Sequence, residues 1–191
     1  MKKHVLLSIL VFMGFLLNAQ NANTSNEKGH FLVELEPRSP DVEAMVNAYE
    51  GTKAIAMLAN NIDGNEVNIN SYKGKTVLIW FWNLGCDICL NSVSTLNTLQ
   101  AEFPDLKIIS FADETSEELL NYRKSNPIQF DVVGNSKMLA EGPYGGELGY
   151  PKMFIVDQEG MIKWVFPSKD FLSPKFDLYQ IVKTLYMQLN Q

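Results

Sequence analysis

The stretch Thr76-Val77-Leu78-Ile79-Trp80-Phe81-Trp82-Asn83-Leu84-Gly85-Cys86-Asp87-Ile88-Cys89 decides the fold. Its first half is β-branched, aliphatic and aromatic with no polar alternation, the pattern of a central strand buried on both faces. Further on, Cys89, Val93, Leu96, Leu99 or Gln100, and Phe103 recur at helical spacing on one face, and Pro104 ends that run. A strand, a turn and a helix therefore carry two cysteines separated by two residues, with Cys86 at the helix amino terminus. Unpaired backbone N–H groups and the positive end of the helix dipole favour a thiolate there. Cys86 is read as the nucleophile. Cys89, one turn along and facing inward, is read as the resolving thiol that attacks the mixed disulfide.

Working outward, strand-like and helix-like segments alternate, as in an α/β layer fold. Ile62-Asp63-Gly64-Asn65 is a turn between two short extended pieces. Residues 106–112 read as a strand, and Thr115-Ser116-Glu117-Glu118 is a capping-box signature for a helix ending near Ser125. Residues 129–133 form a further strand. Residues 153–156 and 161–166 flank the turn Asp157-Gln158-Glu159-Gly160 as an antiparallel hairpin. Ser173-Pro174 is expected to open a last amphipathic helix with Leu178, Ile181, Val182, Leu185 and Leu189 on its buried face.

The amino-terminal end reads differently. Lys2 and Lys3 precede an almost unbroken apolar run over residues 5–17, followed by Asn18-Ala19-Gln20, the pattern of a secretory signal peptide over residues 1–19. That run is short of the roughly twenty residues of a spanning helix, so cleavage is expected rather than stable membrane insertion. Residues 20–51 are read as a flexible leader and an accessory segment, with a short strand over 31–36 and a helix from Ser39-Pro40-Asp41 to Tyr49. The main domain is placed at 52–191. Without the signal the chain keeps fourteen Lys and Arg against twenty-two Asp and Glu, a net charge of −8. With no basic stripe, nucleic acid is excluded as a partner. The expected location is the periplasm or another extracytoplasmic compartment.

Three motifs resemble the TlpA/ResA-type branch of the thioredoxin superfamily, related to AhpC/TSA proteins. They are Asp63-Gly64-Asn65-Glu66-Val67-Asn68-Ile69 with Lys73-Gly74-Lys75, the segment from Phe81 to Cys89, and Gly149-Tyr150-Pro151-Lys152-Met153-Phe154-Ile155-Val156-Asp157 with Gly160. The resemblance implies a thioredoxin-like fold, a central mixed β-sheet flanked by helices, here with an N-terminal extension. It also implies a redox-active CxxC centre that forms and breaks a disulfide bond without a cofactor. Pro151 would follow a cis peptide bond beside the sulfurs, and the Tyr150 backbone would pair with an extended client segment. Trp82 is expected to border the site. The implied activity is reduction of disulfides in client proteins, with recharging by a membrane-embedded dithiol donor.

Departures from the family pattern are specific. Gly85 stands where Trp usually precedes the first cysteine. Ser92 and Ser94 replace a usual Glu and Pro, and Trp80 occupies the position of thioredoxin's buried Asp. A buried carboxylate helps manage the resolving thiol's proton, so Glu147 is named as a substitute proton-transfer group. Asp87 places negative charge beside the Cys86 sulfur, which favours the disulfide and a reducing centre nearer thioredoxin than DsbA.

Other readings of the residues remain beside this one. Two cysteines this close could be a structural disulfide, although so small a ring staples little chain. Metal is not expected, since a zinc site needs two further ligands and His30 is the one histidine left after signal removal. Leu90 stands where a c-type haem motif needs His. A peroxiredoxin-like peroxidase would want Thr at Asn83. A non-catalytic interaction module that keeps the fold and its peptide groove is the alternative from a different class.

Overall fold

The computed structural model describes residues 37–191. The expected signal peptide over 1–19, the leader over 20–29 and the strand over 31–36 lie outside the described residues. In chain order the helices and strands are α1 (Pro40–Tyr49), β1 (Leu58–Asn60), β2 (Glu66–Asn68), β3 (Val77–Trp82), α2 (Asp87–Glu102), β4 (Lys107–Ala112), α3 (Ser116–Arg123) and β5 (Asp131–Val133). They continue with α4 (Lys137–Glu141), β6 (Lys152–Val156), β7 (Ile162–Phe166), α5 (Ser168–Phe171) and α6 (Leu178–Leu189), and 3₁₀ turns occur at Ile69–Tyr72 and Gly146–Leu148.

Five strands form one mixed sheet in the order β5-β4-β3-β6-β7, so the strand before the cysteines is the central one. β3 runs parallel to β4, ending on the pair Trp82↔Ala112, and antiparallel to β6, ending on Phe81↔Lys152. All six of its residues are buried, because its alternating side chains meet covered layers on both faces. Ile79 and Phe81 join a core cluster that includes Val46 of α1. On the other face Trp80 meets Phe171 edge-on at 5.4 Å and Trp82 meets Tyr122 at 6.0 Å. The mixed sheet flanked by helices is the architecture expected from the motifs.

The short hairpin β1–β2 closes on Asn61, whose Oδ1 accepts the Asp63 and Asn65 N–H groups at 3.0 and 2.9 Å. The Thr115 capping box forms in full at the start of α3.

Two expectations change. The first is the boundary at residue 52, because α1 is part of the main domain. Val42 and Val46, four residues apart, turn one buried face inward, and Tyr49 meets Phe154 of β6 at 5.5 Å. Arg38 grips the buried Asp170 with two hydrogen bonds of 2.6 and 3.2 Å and also donates to the Val165 carbonyl at 3.0 Å. The second is the start of the last helix. It is capped by Asp177, whose side chain accepts the Gln180 N–H, instead of by Ser173-Pro174. Phe176 sits in the intervening turn and packs on Phe171 at 4.1 Å and Phe166 at 5.8 Å, which holds residues 173–176 out of the helix. The expected buried face survives in Leu178, Ile181, Val182 and Leu185, while Leu189 is half-buried.

Loss of an N-cap side chain costs about 1 kcal/mol. Asp177→Ala is therefore expected to lower unfolding free energy by roughly that amount in urea titrations, and Ser173→Ala by much less. Equal losses would return the helix start to Ser173.

Candidate active site

Cys86 is the N-cap of α2 and is disulfide-bonded to Cys89, with a Cα–Cα distance of 5.2 Å. The Cys89 backbone N–H donates to Cys86 Sγ at 3.2 Å. An orphan amide of the first helical turn is thus aimed at this sulfur, an arrangement that supports negative charge on it after reduction. Cys86 is half-buried and its neighbours Gly85 and Asp87 are exposed, whereas Cys89 is wholly buried. Asp87 lies in the first helical turn, where a carboxylate also complements the helix dipole.

Sheet register gathers three chain segments at one end of the sheet. β3 ends at Trp82 and leads through Asn83, Leu84 and Gly85 to Cys86. β6 begins beside that end, with Lys152 paired to Phe81, directly after the cis Tyr150–Pro151 bond that the resemblance implies. β4, parallel to β3, ends there too and continues into Asp113 and Glu114. Pro151 is buried, and Tyr150 is half-buried with its hydroxyl donating to Asp113 Oδ1 at 2.7 Å. Burial pushes the Tyr150 phenol well above its ordinary range, and the bond to Asp113 adds to the shift.

Two named residues fall elsewhere than expected. Trp82 is fully buried under the site, with its ring against Tyr122, so it is a floor and offers no surface to a client. Glu147 lies exposed on the 3₁₀ turn Gly146–Leu148. The carboxylate that contacts the cysteine loop is Glu114, whose Oε1 accepts the Leu84 N–H at 2.7 Å. Two acids directly following a buried strand next to the cysteine strand were the available signal. Ser92, in place of the family's Glu, turns its hydroxyl back onto the Ile88 carbonyl at 2.8 Å.

Lys152, which lies within the third motif, was given no role of its own by the sequence. It is fully buried, and Nζ donates to the carbonyls of Ala140 and Gly145 at 2.6 and 2.7 Å while lying over the rings of Phe81 and Tyr150. It thereby ties α4 and the following turn to the start of β6. Burial lowers its pKa from 10.5 to about 8, against the opposing pull of Asp113, Glu147 and Glu141. Among the described residues, no group of three or more His, Cys, Asp or Glu is placed to hold a metal ion.

The family model of the AhpC/TSA family matches residues 51–165, and the chain belongs to that family. A thiol-disulfide oxidoreductase, ResA, of Bacillus thuringiensis (strain Al Hakam) is 27% identical over 116 residues, 59% of this chain and 66% of that protein. The fold is similar to an exposed lipoprotein thioredoxin of Streptococcus pneumoniae, with a TM-score of 0.60, 20% identity and coverage of 71% of this chain and 100% of that one. A thioredoxin-family thiol:disulfide interchange protein of Chlorobium tepidum gives a TM-score of 0.57 at 23% identity, covering 71% of this chain and 96% of that one. These matches agree with the TlpA/ResA-type resemblance carried by the three motifs.

Two expectations follow from this geometry. In the reduced protein, iodoacetamide labels Cys86 well before the enclosed Cys89, and mass mapping of the first adduct checks the order. Lys152 binds its proton less tightly folded than unfolded, so between about pH 8 and 10 the unfolded chain holds more protons. Its contribution to stability therefore rises with pH across that window. The unfolding free energy of the wild type minus that of Lys152→Met, followed by urea titration, should increase from about pH 8 to about pH 10.

Proposed function

We propose that this AhpC/TSA-family chain is an exported thiol-disulfide oxidoreductase that reduces disulfides in extracytoplasmic client proteins. The reduced Cys86 thiolate attacks one sulfur of a client disulfide, forming a mixed disulfide and releasing the first client thiolate, which takes a proton from water. Cys89 then gives up its proton and attacks the Cys86 sulfur. The second client thiolate leaves, the Cys86–Cys89 disulfide forms, and two electrons have passed to the client. A dithiol donor, expected to be membrane-embedded, restores the reduced pair.

The observation that carries this reading is the unequal environment of two bonded sulfurs. One sits at a helix amino terminus with an amide N–H on it and open neighbours, and the other is buried one turn behind. That asymmetry orders the steps, because only Cys86 can meet a client and only Cys89 can meet the mixed disulfide. Tyr150 and the cis Pro151 lie at the same sheet end, where the Tyr150 backbone would pair with an extended client segment. Export is supported by the pattern of residues 1–19. No helix among the described residues is long and apolar enough to cross a membrane.

A second reading is favoured by Ser92, which stands where the TlpA/ResA type usually carries Glu, and by Trp80, which stands where thioredoxin carries a buried Asp: a non-catalytic module that binds clients in the same groove. Dithiothreitol-driven insulin reduction separates the two. The wild type is expected to accelerate it, Cys86→Ala to abolish the acceleration, and Cys89→Ala to trap a client as a mixed disulfide on non-reducing gels. Unchanged client capture by the Cys86→Ala, Cys89→Ala double variant, with no acceleration by the wild type, supports the scaffold instead.

A further inference from the structure

Two adjacent carboxylates outside every motif touch both halves of the site. Trp82 and Ala112 are the last register pair of the parallel strands β3 and β4, so the two chains leave the sheet side by side. Two residues past that pair, Glu114 Oε1 accepts the N–H of Leu84, which lies two residues before Cys86. One residue earlier in the same loop, Asp113 Oδ1 accepts the hydroxyl of Tyr150, the residue before the cis proline. Both bonds are 2.7 Å long.

The loop that carries the acids is itself pinned. The Ser136 N–H donates to the Ala112 carbonyl at 2.8 Å and the Asn135 N–H to the Glu114 carbonyl at 2.7 Å. Gly134 packs so closely that a Cβ there would lie 2.8 Å from the Glu114 carbonyl oxygen. On the other side, the capping box anchors Thr115 at the start of α3. Glu114 Oε2 is buried and has no hydrogen-bond partner among the described residues. Burying a carboxylate oxygen in this way costs free energy, which a decorative surface residue would avoid by staying in water.

The geometry points to Asp113 and Glu114 as positioning residues, a two-pronged clamp that fixes the cysteine loop against the proline loop. Glu114 sets where the Cys86 sulfur lies, and Asp113, through Tyr150, sets the edge on which client backbone docks. Together they fix the gap between the attacking sulfur and the client disulfide. Thiol exchange needs the attacking sulfur in line with the bond it breaks, so small displacements cost large factors in rate. This inference rests on the reading of the site as a thiol-disulfide oxidoreductase.

The clamp makes the two acids separable by substrate. A small disulfide, 5,5′-dithiobis(2-nitrobenzoate), needs only Cys86 placed correctly, whereas insulin needs Cys86 and the docking edge in mutual register. Asp113→Ala and Tyr150→Phe are expected to slow insulin reduction about fivefold more than reaction with the small disulfide, chiefly through KM. Glu114→Ala is expected to slow both reactions about tenfold, and Glu114→Gln, whose amide oxygen still accepts the Leu84 N–H, to recover most of that loss. Thermal midpoints confirm that each variant is folded, and Tyr150→Phe, which removes a single hydroxyl, serves if Asp113→Ala is not. Equal effects of Tyr150→Phe on both substrates, wild-type rates in Glu114→Ala, or no recovery in Glu114→Gln overturn the clamp. A wild type that reduces neither substrate instead sinks the functional reading, and the clamp with it.

Discussion

The register of β3 between β4 and β6 is the constraint on which the site depends. A central strand paired on both edges and covered on both faces has no freedom to slip, since a one-residue shift would exchange Phe81 for Trp82 across the sheet. Its end is therefore a fixed point. Cys86 lies four residues beyond that end, Pro151 one residue before the neighbouring strand begins, and Asp113 one residue past the end of the other neighbour. Residues that are far apart in sequence are thus brought to one end of the sheet by backbone pairing.

Around that fixed point, burial distributes the chemistry. Cys86 and Cys89 differ by one helical turn in position, yet the first is half-buried at the helix terminus and the second wholly buried. The buried Lys152 adds a cation behind the proline loop. Its two carbonyl partners belong to α4 and the following turn, a region with little hydrophobic periodicity of its own. α4 has five residues, no side-chain cap and one buried residue, so tertiary contacts hold it. One ammonium group thus orders a wall of the site and stands under the ring of Tyr150.

Several features were legible because they are local. The apolar run of β3, the helix period after Cys89, the capping box at Thr115 and the Asp157–Gly160 turn each announce themselves within a few residues. The helix at 40–49 was legible too, but its membership in the domain was not. That depends on Arg38 reaching Asp170 and on Val42 and Val46 finding the sheet, contacts made across more than a hundred residues of chain. The start of α6 moved for a similar reason. Ser173-Pro174 is a fair helix opening in isolation, and the aromatic cluster of Phe166, Phe171 and Phe176 outweighs it.

Spacing and local propensity, which need no distant partner, put two cysteines at a strand-to-helix junction, and the resemblance of residues 149–157 to a family motif marked the proline loop. Which carboxylate reaches the cysteine loop was not settled at that level. Glu114 closely follows a strand-like apolar run and Glu147 does not, but that difference does not say which strand lies beside β3. Parallel pairing of β3 with β4 decided between them, placing Glu114 against Leu84 and leaving Glu147 in water. The same pairing enclosed Trp82 beneath the site, because strand alternation tells that two residues share a face but only the packed layers tell what covers it.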